Sequence, residues 1–321
     1  MKILELFADL EVAQSESDLS AVPLQGARND FLAKSNLGAP VFLLRDASSP
    51  GYSPGIELRN VRVQFNCVCR VTVGGAVTQG QFAVVSCESD SPEMHELFIR
   101  SVLVVTEQLP FEASTVDLQR HLRSLLDLFR ALGRPATREI TGLWGELFVI
   151  AKSKSVPLAL SVWRTDNFDR FDFSSLNSCL EVKTTVGERR EHVFALEQLS
   201  PPLGGRGYVV SLLLQELSGG VGVIDLARDI EGALSGEIGM RKKLWQNIVG
   251  ALGGDFSERL DRRFDLSYAE RNLRIFDMRD VPTLPVISDP RVTSVQFRSD
   301  LSTVSSSLNG GSPIPFEELF S

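Results

Sequence analysis

From Phe171 to Thr185 the chain reads Phe-Asp-Phe-Ser-Ser-Leu-Asn-Ser-Cys-Leu-Glu-Val-Lys-Thr-Thr. Asp172 lies near the end of one strand-like run, Asn177-Ser178 supplies a turn, and Glu181-Val182-Lys183 begins a second run. Side chains alternate along a strand, so Glu181 and Lys183 share one face while Leu180 and Val182 point the other way, into a core. If the two runs pair as a hairpin, Asp172 meets Glu181. Two carboxylates that meet repel unless a cation lies between them. Hard oxygen ligands favour Mg²⁺ or Mn²⁺, and the Val182 carbonyl is a further candidate ligand. A lysine beside them can orient a water and neutralise charge developing on a phosphate. The chemistry this points to is phosphodiester hydrolysis. The bland alternative is a turn-capping Asp172 beside a cross-strand ion-pair face of Glu181 and Lys183. Lys183 is the one lysine in the chain with an acidic residue two positions before it.

A helix must carry the next acid. Ile140, Leu143, Leu147 and Ile150 form an apolar stripe in a helix expected from about Thr137 to Lys152. With Ile140 at zero and about 100° per residue, Glu146 falls at about 240°, on the flank of that stripe away from Trp144 and Phe148. That boundary position lets Glu146 lean toward a site beside the sheet and hold a second cation, directly or through water. An ordinary exposed helix glutamate is the competing reading. Trp144 and Phe148 read as core.

The flanking elements set the frame. Residues 1–115 read as a β-rich N-terminal domain, with strands over 41–44, 56–73, 81–87 and 97–105 separated by Gly, Pro, Ser and Asn. Residues 116–301 read as a second domain of α/β class. It opens with a helix carrying Leu118, Leu122, Leu125, Leu126, Phe129 and Leu132, stopped by Gly133 and Pro135. Short strands are expected over 168–173, 179–185 and 192–197, a doubly buried one over 208–214, and helices over 224–234 and 241–252. Strand signals recur between 276 and 301, and residues 302–321, rich in Ser and Gly at their start, read as a flexible tail.

Composition narrows the function. At 321 residues the chain suggests about two domains, and 43% hydrophobic with 23% charged residues is ordinary globular composition. A net charge of −8 argues against coating nucleic acid by bulk attraction. It leaves room for an enzyme whose clustered carboxylates hold divalent ions. Cys67, Cys69, Cys87 and Cys179 fit neither a disulfide framework nor a zinc ribbon. Cys67-x-Cys69 is half of a metal site at most, and such pairs are more often small buried residues on a strand. These features, and an N-terminus with no apolar leader, suggest a cytoplasmic setting. No apolar run is long enough to cross a bilayer, so no membrane role is expected. The glycine clusters at 204–207 and 219–222 lack the Lys-Ser/Thr end of a P-loop, and there is no Gly-x-Ser-x-Gly elbow or His-Glu-x-x-His helix.

The Asp172, Glu181-x-Lys183 pattern resembles the PD-(D/E)XK nuclease superfamily, although Asp172 follows Phe171 rather than proline. The longer pattern is more specific. Gly-Leu-Trp-Gly-Glu-Leu at 142–147, Trp163, Asp172 between two phenylalanines, Leu-Glu-Val-Lys-Thr-Thr at 180–185, Arg190, His192 and Glu197-Gln198-Leu199 are similar to an uncharacterised bacterial branch of that superfamily. The resemblance covers residues 115–215 well and the flanks loosely. It implies a restriction-endonuclease-like core, a mixed sheet flanked by helices, and a Mg²⁺- or Mn²⁺-dependent endodeoxyribonuclease acting in restriction or anti-phage defence. It assigns Asp172, Glu181 and Glu146 to metal ions and catalysis, Lys183 to positioning the attacking water, and Arg190, His192 and Gln198 to DNA. It further implies DNA as partner, a possible homodimer, and neighbours such as a helicase-like ATPase, a GHKL ATPase and a DNA methyltransferase. Two alternatives stay open: a non-cutting DNA-binding or scaffold subunit of a multi-protein complex, and a nuclease for RNA or branched DNA.

Overall fold

A computed structural model describes residues 2–13, 18–26, 28–131, 139–165, 169–234, 236–252, 262–285, 291–292, 294–309 and 313–320. The described residues fall into two compact units, one up to Ala131 and the other from Glu139 onward.

The first unit is a small closed sheet. Its strands are β1 (Asp18–Pro23), β2 (Phe31–Lys34), β3 (Pro40–Arg45), β4 (Ile56–Glu57), β5 (Val61–Val73) and β6 (Ala76–Cys87). The hydrogen-bonded order is β1-β2-β3-β6-β5-β4, and β1 also pairs in parallel with β5, which closes the ring. Gly74 and Gly75, at φ of 55° and 87°, form the tight turn from β5 to β6. Leu19, Ala33, Val41, Leu43, Val71 and Phe82 pack in one buried cluster. Cys69 belongs to this cluster, and all four cysteines are free thiols. Burial pushes Cys69 up to about 11, with the neighbouring Cys67 adding to the shift. It is therefore an inert thiol at neutral pH.

Three helices accompany this sheet: α1 (Lys2–Ala8), α2 (Pro92–Thr106) and α3 (Thr115–Ala131). The segment expected as a strand over 97–105 is part of α2. Its β-branched run suggests a strand, but Ser91 caps the helix through the Met94 N–H and Pro92 opens it. Met94, Leu97, Phe98, Ser101, Val102 and Val105 then form its buried helical face. α3 belongs to this first unit and not, as expected, to the second.

The second unit is mixed α/β. It comprises α4 (Ile140–Ala151), α5 (Val156–Val162), β7 (Phe173–Ser174), β8 (Ser178–Val186), β9 (Glu191–Ala195), β10 (Arg206–Leu214), β11 (Glu216–Val221), α6 (Val223–Ala233), α7 (Ile238–Leu252), a short helix at Leu266–Asn272, β12 (Arg274–Asp277), β13 (Gln296–Asp300), β14 (Leu308–Asn309) and a C-terminal turn of helix at Phe316–Leu319. The five-stranded sheet runs β14-β12-β10-β8-β7, with β8 and β10 parallel and the other pairs antiparallel. β10, almost wholly buried, is central, as its continuous apolar run requires. β9 leaves this sheet and pairs with β13 instead.

The described residues of 302–321 differ from the expected flexible tail. Within them β14 pairs with β12, and the buried Phe316 ring meets Phe173 edge-on at 5.5 Å. No described helix is long and apolar enough to cross a membrane.

α4 is buried on every side from Leu143 to Ile150, more than its stripe suggests. It packs on β8 and on α6, and Trp144 donates its indole N–H to the Val221 carbonyl at 2.8 Å. Gly145 permits the close approach to the sheet, because a Cβ there would lie 2.4 Å from the Thr184 methyl and 3.2 Å from a Val182 methyl. The same approach brings the next residue, Glu146, to the sheet edge. Gly145→Ala should therefore lower unfolding free energy by about 1–3 kcal/mol through overpacking, read by urea denaturation. Unchanged stability would mean that α4 does not ride this close to β8.

Candidate active site

The register of β7 and β8 decides where the acids go. Phe173 stands opposite Leu180, so Asp172, one residue earlier, falls on the Glu181 side of the strand pair. One Asp172 oxygen, Oδ2, accepts the Val182 N–H at 2.8 Å. This ties the end of one strand to the middle of the Glu-x-Lys segment. Asp172, Glu181 and Glu146 are all buried.

Glu181 and Lys183, two residues apart on β8, meet at 3.0 Å through Glu181 Oε1. Gln198, in the turn of 3₁₀ helix Leu196–Leu199 after β9, clamps both. Its amide nitrogen donates to Glu181 Oε1 at 2.5 Å, and its carbonyl oxygen accepts from Lys183 Nζ at 3.0 Å and from the Ala195 N–H at 3.0 Å. The ammonium also lies over the Phe194 ring, 5.2 Å from its centre. Lys183 is thus held by a carboxylate, an amide and an aromatic face.

Arg164, which the sequence reading did not single out, completes the site. Its Nη2 lies 2.7 Å from Glu146 Oε1 and 2.9 Å from Asp172 Oδ1. The preceding Trp163 donates its indole N–H to Glu146 Oε2 at 2.6 Å. Burial works against the Arg164 charge, but Asp172 and Glu146 more than restore it, and its pKa rises above the ordinary guanidinium value. The signal that could have found it is the pair Trp163-Arg164, eight residues before Asp172 and just ahead of the edge strand.

Glu181 Oε2 has no hydrogen-bond partner although it is buried. Desolvation and the neighbouring Asp172 charge push this carboxyl up to about 8, against the opposing pull of Lys183 and Arg164. The donors present therefore do not offset its charge. A divalent cation fits this chemistry: a free hard oxygen on Glu181 beside Asp172, whose two oxygens each retain a lone pair.

Other expected positions fall elsewhere. Both Glu146 oxygens accept from protein donors, so this structure does not present Glu146 as the expected open ligand for a second ion. Among the described residues no group of three or more His, Cys, Asp and Glu side chains is disposed to hold a metal ion. Arg190 and His192, expected at DNA, are interior residues. Arg190 Nη1 donates to the Ser211 carbonyl and hydroxyl at 3.0 and 2.9 Å, and Nη2 donates to the Asn272 carbonyl. His192 Nε2 pairs with the Ser211 hydroxyl at 2.7 Å. Burial, helped by Lys183 and Arg190, lowers His192 to about 4, so it is neutral at pH 7. Even-numbered residues of β9 turn inward because that strand pairs with β13 and covers the sheet. Gln198 comes to the site as the clamp on Glu181 and Lys183.

The family model described as "Putative PD-(D/E)XK family member, (DUF4420)" matches residues 3–302. The chain belongs to this family. No curated protein and no solved structure matches it. The DUF4420 match spans nearly the whole chain and so takes in both units.

The titration of Glu181 gives a measurable consequence. Between pH 6.5 and 8 the unfolded chain's His192 gives up its remaining proton while the folded one is already neutral, which adds only roughly 0.4 kcal/mol of stability. Glu181 ionises near 4.5 when unfolded and near 8 when folded. The stability this raised value contributes is full below the unfolded value and is lost as pH rises through the folded one. The metal-free protein should therefore lose stability between pH 6.5 and 8, on the order of 1 kcal/mol per unit. Glu181→Gln should lack that slope. Denaturation curves across this range check it, and a flat wild-type profile would contradict the electrostatic account.

Proposed function

We propose that this DUF4420 chain is a metal-dependent endodeoxyribonuclease and that its second unit is a restriction-endonuclease-like core. The observation that carries the reading is the unpartnered, buried Glu181 Oε2 beside Asp172, with Lys183 held on the same strand face. A structural ion pair has no use for a carboxylate oxygen buried without a donor, since such an oxygen costs its full desolvation. A cation-binding site does. The intact Asp, Glu and Lys set also favours an enzyme over a scaffold that has kept only the fold.

Asp172 and Glu181 would hold Mg²⁺ or Mn²⁺, which when bound supplies Lewis-acid polarisation of a phosphate and offsets charge developing on the leaving oxygen. The chain's own groups account for the rest. The Val182 N–H fixes the Asp172 carboxylate through Oδ2. Gln198 fixes Glu181 Oε1 and so directs Oε2 away from the clamp. Lys183, anchored by the Gln198 carbonyl and the Phe194 ring, points an ammonium at which an attacking water is oriented and phosphate charge is met. The bulk charge of −8 leaves DNA contact to local groups and to the bound cation. We assign the activity to restriction or anti-phage defence, with a second copy of the chain cutting the other strand. A helicase-like ATPase, a GHKL ATPase and a DNA methyltransferase would be its functional neighbours.

The test is plasmid cleavage with Mg²⁺ or Mn²⁺, alone and with neighbouring gene products, against Asp172→Ala, Glu181→Ala and Lys183→Ala. Each substitution should reduce cleavage by at least about 10²-fold while circular dichroism stays native. The two acid variants should lose cation affinity and the lysine variant should keep most of it. Wild-type cutting by any of the three would remove the mechanism. RNA, junction and single-stranded substrates run in parallel would show whether the assignment to duplex DNA is right.

A further inference from the structure

The arginine between Glu146 and Asp172 has a consequence for how many cations the site takes. A divalent ion shared by these two carboxylates would have to lie between Glu146 Oε1 and Asp172 Oδ1. Arg164 Nη2 already lies there, 2.7 Å from one and 2.9 Å from the other. One nitrogen serves both acids, as a bridging ion would.

The position of Arg164 is built and not incidental. Its backbone N–H donates to the Asp172 carbonyl at 2.9 Å. Its own carbonyl accepts from the Asn247 side-chain amide of α7 at 2.6 Å. Trp163, buried and bridged to Phe173, fixes the residue before it and gives its indole N–H to the same Glu146. The chain at Arg164 is thus held through its own N–H and carbonyl and through the residue before it, beside the segment that leads into β7. The guanidinium charge is permanent at any working pH.

The charges count the same way. Three buried carboxylates face two protein cations, Arg164 and Lys183. One divalent ion at Glu181 Oε2 and Asp172 leaves the cluster with a single positive charge, suited to a phosphate. A second divalent ion beside Arg164 would place like charges within a few ångströms of each other.

Resting on the metal-dependent reading above, we infer that Arg164 takes the place of a second metal ion, so that the site binds one divalent cation per chain and Glu146 serves to hold Arg164. Arg164 is then a positioning residue: it fixes Asp172 Oδ1 and supplies a fixed positive charge.

Mn²⁺ titration of the full chain, followed by calorimetry and by the electron paramagnetic resonance signal of free Mn²⁺, reads the number of sites directly. Wild type should bind one ion. Arg164→Lys, which keeps the charge, should also bind one. Arg164→Met, which keeps length and removes charge, should bind two, and Arg164→Met combined with Glu146→Gln should return to one. Two ions on wild type, or one on Arg164→Met, would overturn the inference and leave the nuclease reading standing. No Mn²⁺ on wild type would sink the nuclease reading and the inference with it. If Arg164→Met does not fold, the double variant, which removes the uncompensated acid, and wild type still decide: two ions on either would overturn the inference, and one on both would support it.

Discussion

Burying Glu146, Asp172 and Glu181 at one edge of a sheet obliges the fold to supply positive charge there. An unpaired ion in the interior costs several kcal/mol even after relaxation. The second unit answers with two cations from different elements: Lys183 from the central part of β8, and Arg164 from the turn after α5. Their reach is unequal. Arg164 covers two acids and Lys183 covers one oxygen of the third, so a charge on Glu181 has no partner at Oε2 and its ionisation is pushed up to about 8. The fold, the titration of the site and the proposed chemistry all follow from this incomplete neutralisation.

The supporting structure serves to keep these charges in register. α4 lies against β8 because Gly145 leaves room for Thr184 and Val182, and this delivers Glu146 to the edge. The two-residue β7 is enough to set Asp172 on the Glu181 side because Phe173 is locked opposite Leu180 and against Phe316. Behind the site, Arg190, His192 and Ser211 form an interior hydrogen-bonded group that joins β9 to β10. That group holds the strand leading to Gln198. Its neutral histidine adds no further positive charge beside Lys183.

Much of this was legible in the sequence, and the reasons differ by residue. Asp172, Glu181 and Lys183 obey the two-residue period of a strand, with a turn between them, so local pattern alone places the acids and the lysine together. Gln198 sits at a spacing that resemblance could flag, although the pattern could not tell a clamp on Lys183 from a contact to DNA. Arg190 and His192 were legible as a strand, but the sheet that strand joins depends on residues 296–300, about a hundred positions away. Arg164 was illegible because its partners come from α4 and from the strand end at Asp172, and it lies in a stretch without periodicity. α2 was misread where β-branched residues on a helix face imitate a strand; the Ser91 cap with Pro92 was the decisive local signal.

In the proposed chemistry of this PD-(D/E)XK family member, Glu181 Oε2 and Asp172 together take the cation. A crystal structure of the full chain with Mn²⁺, with anomalous differences collected at the manganese edge, shows whether they do. An anomalous peak within ligand distance of Glu181 Oε2 and an Asp172 oxygen is expected, with Arg164 still between Asp172 and Glu146. No peak at these two carboxylates in crystals that hold manganese elsewhere, or Glu181 Oε2 taking a protein donor instead, would contradict it.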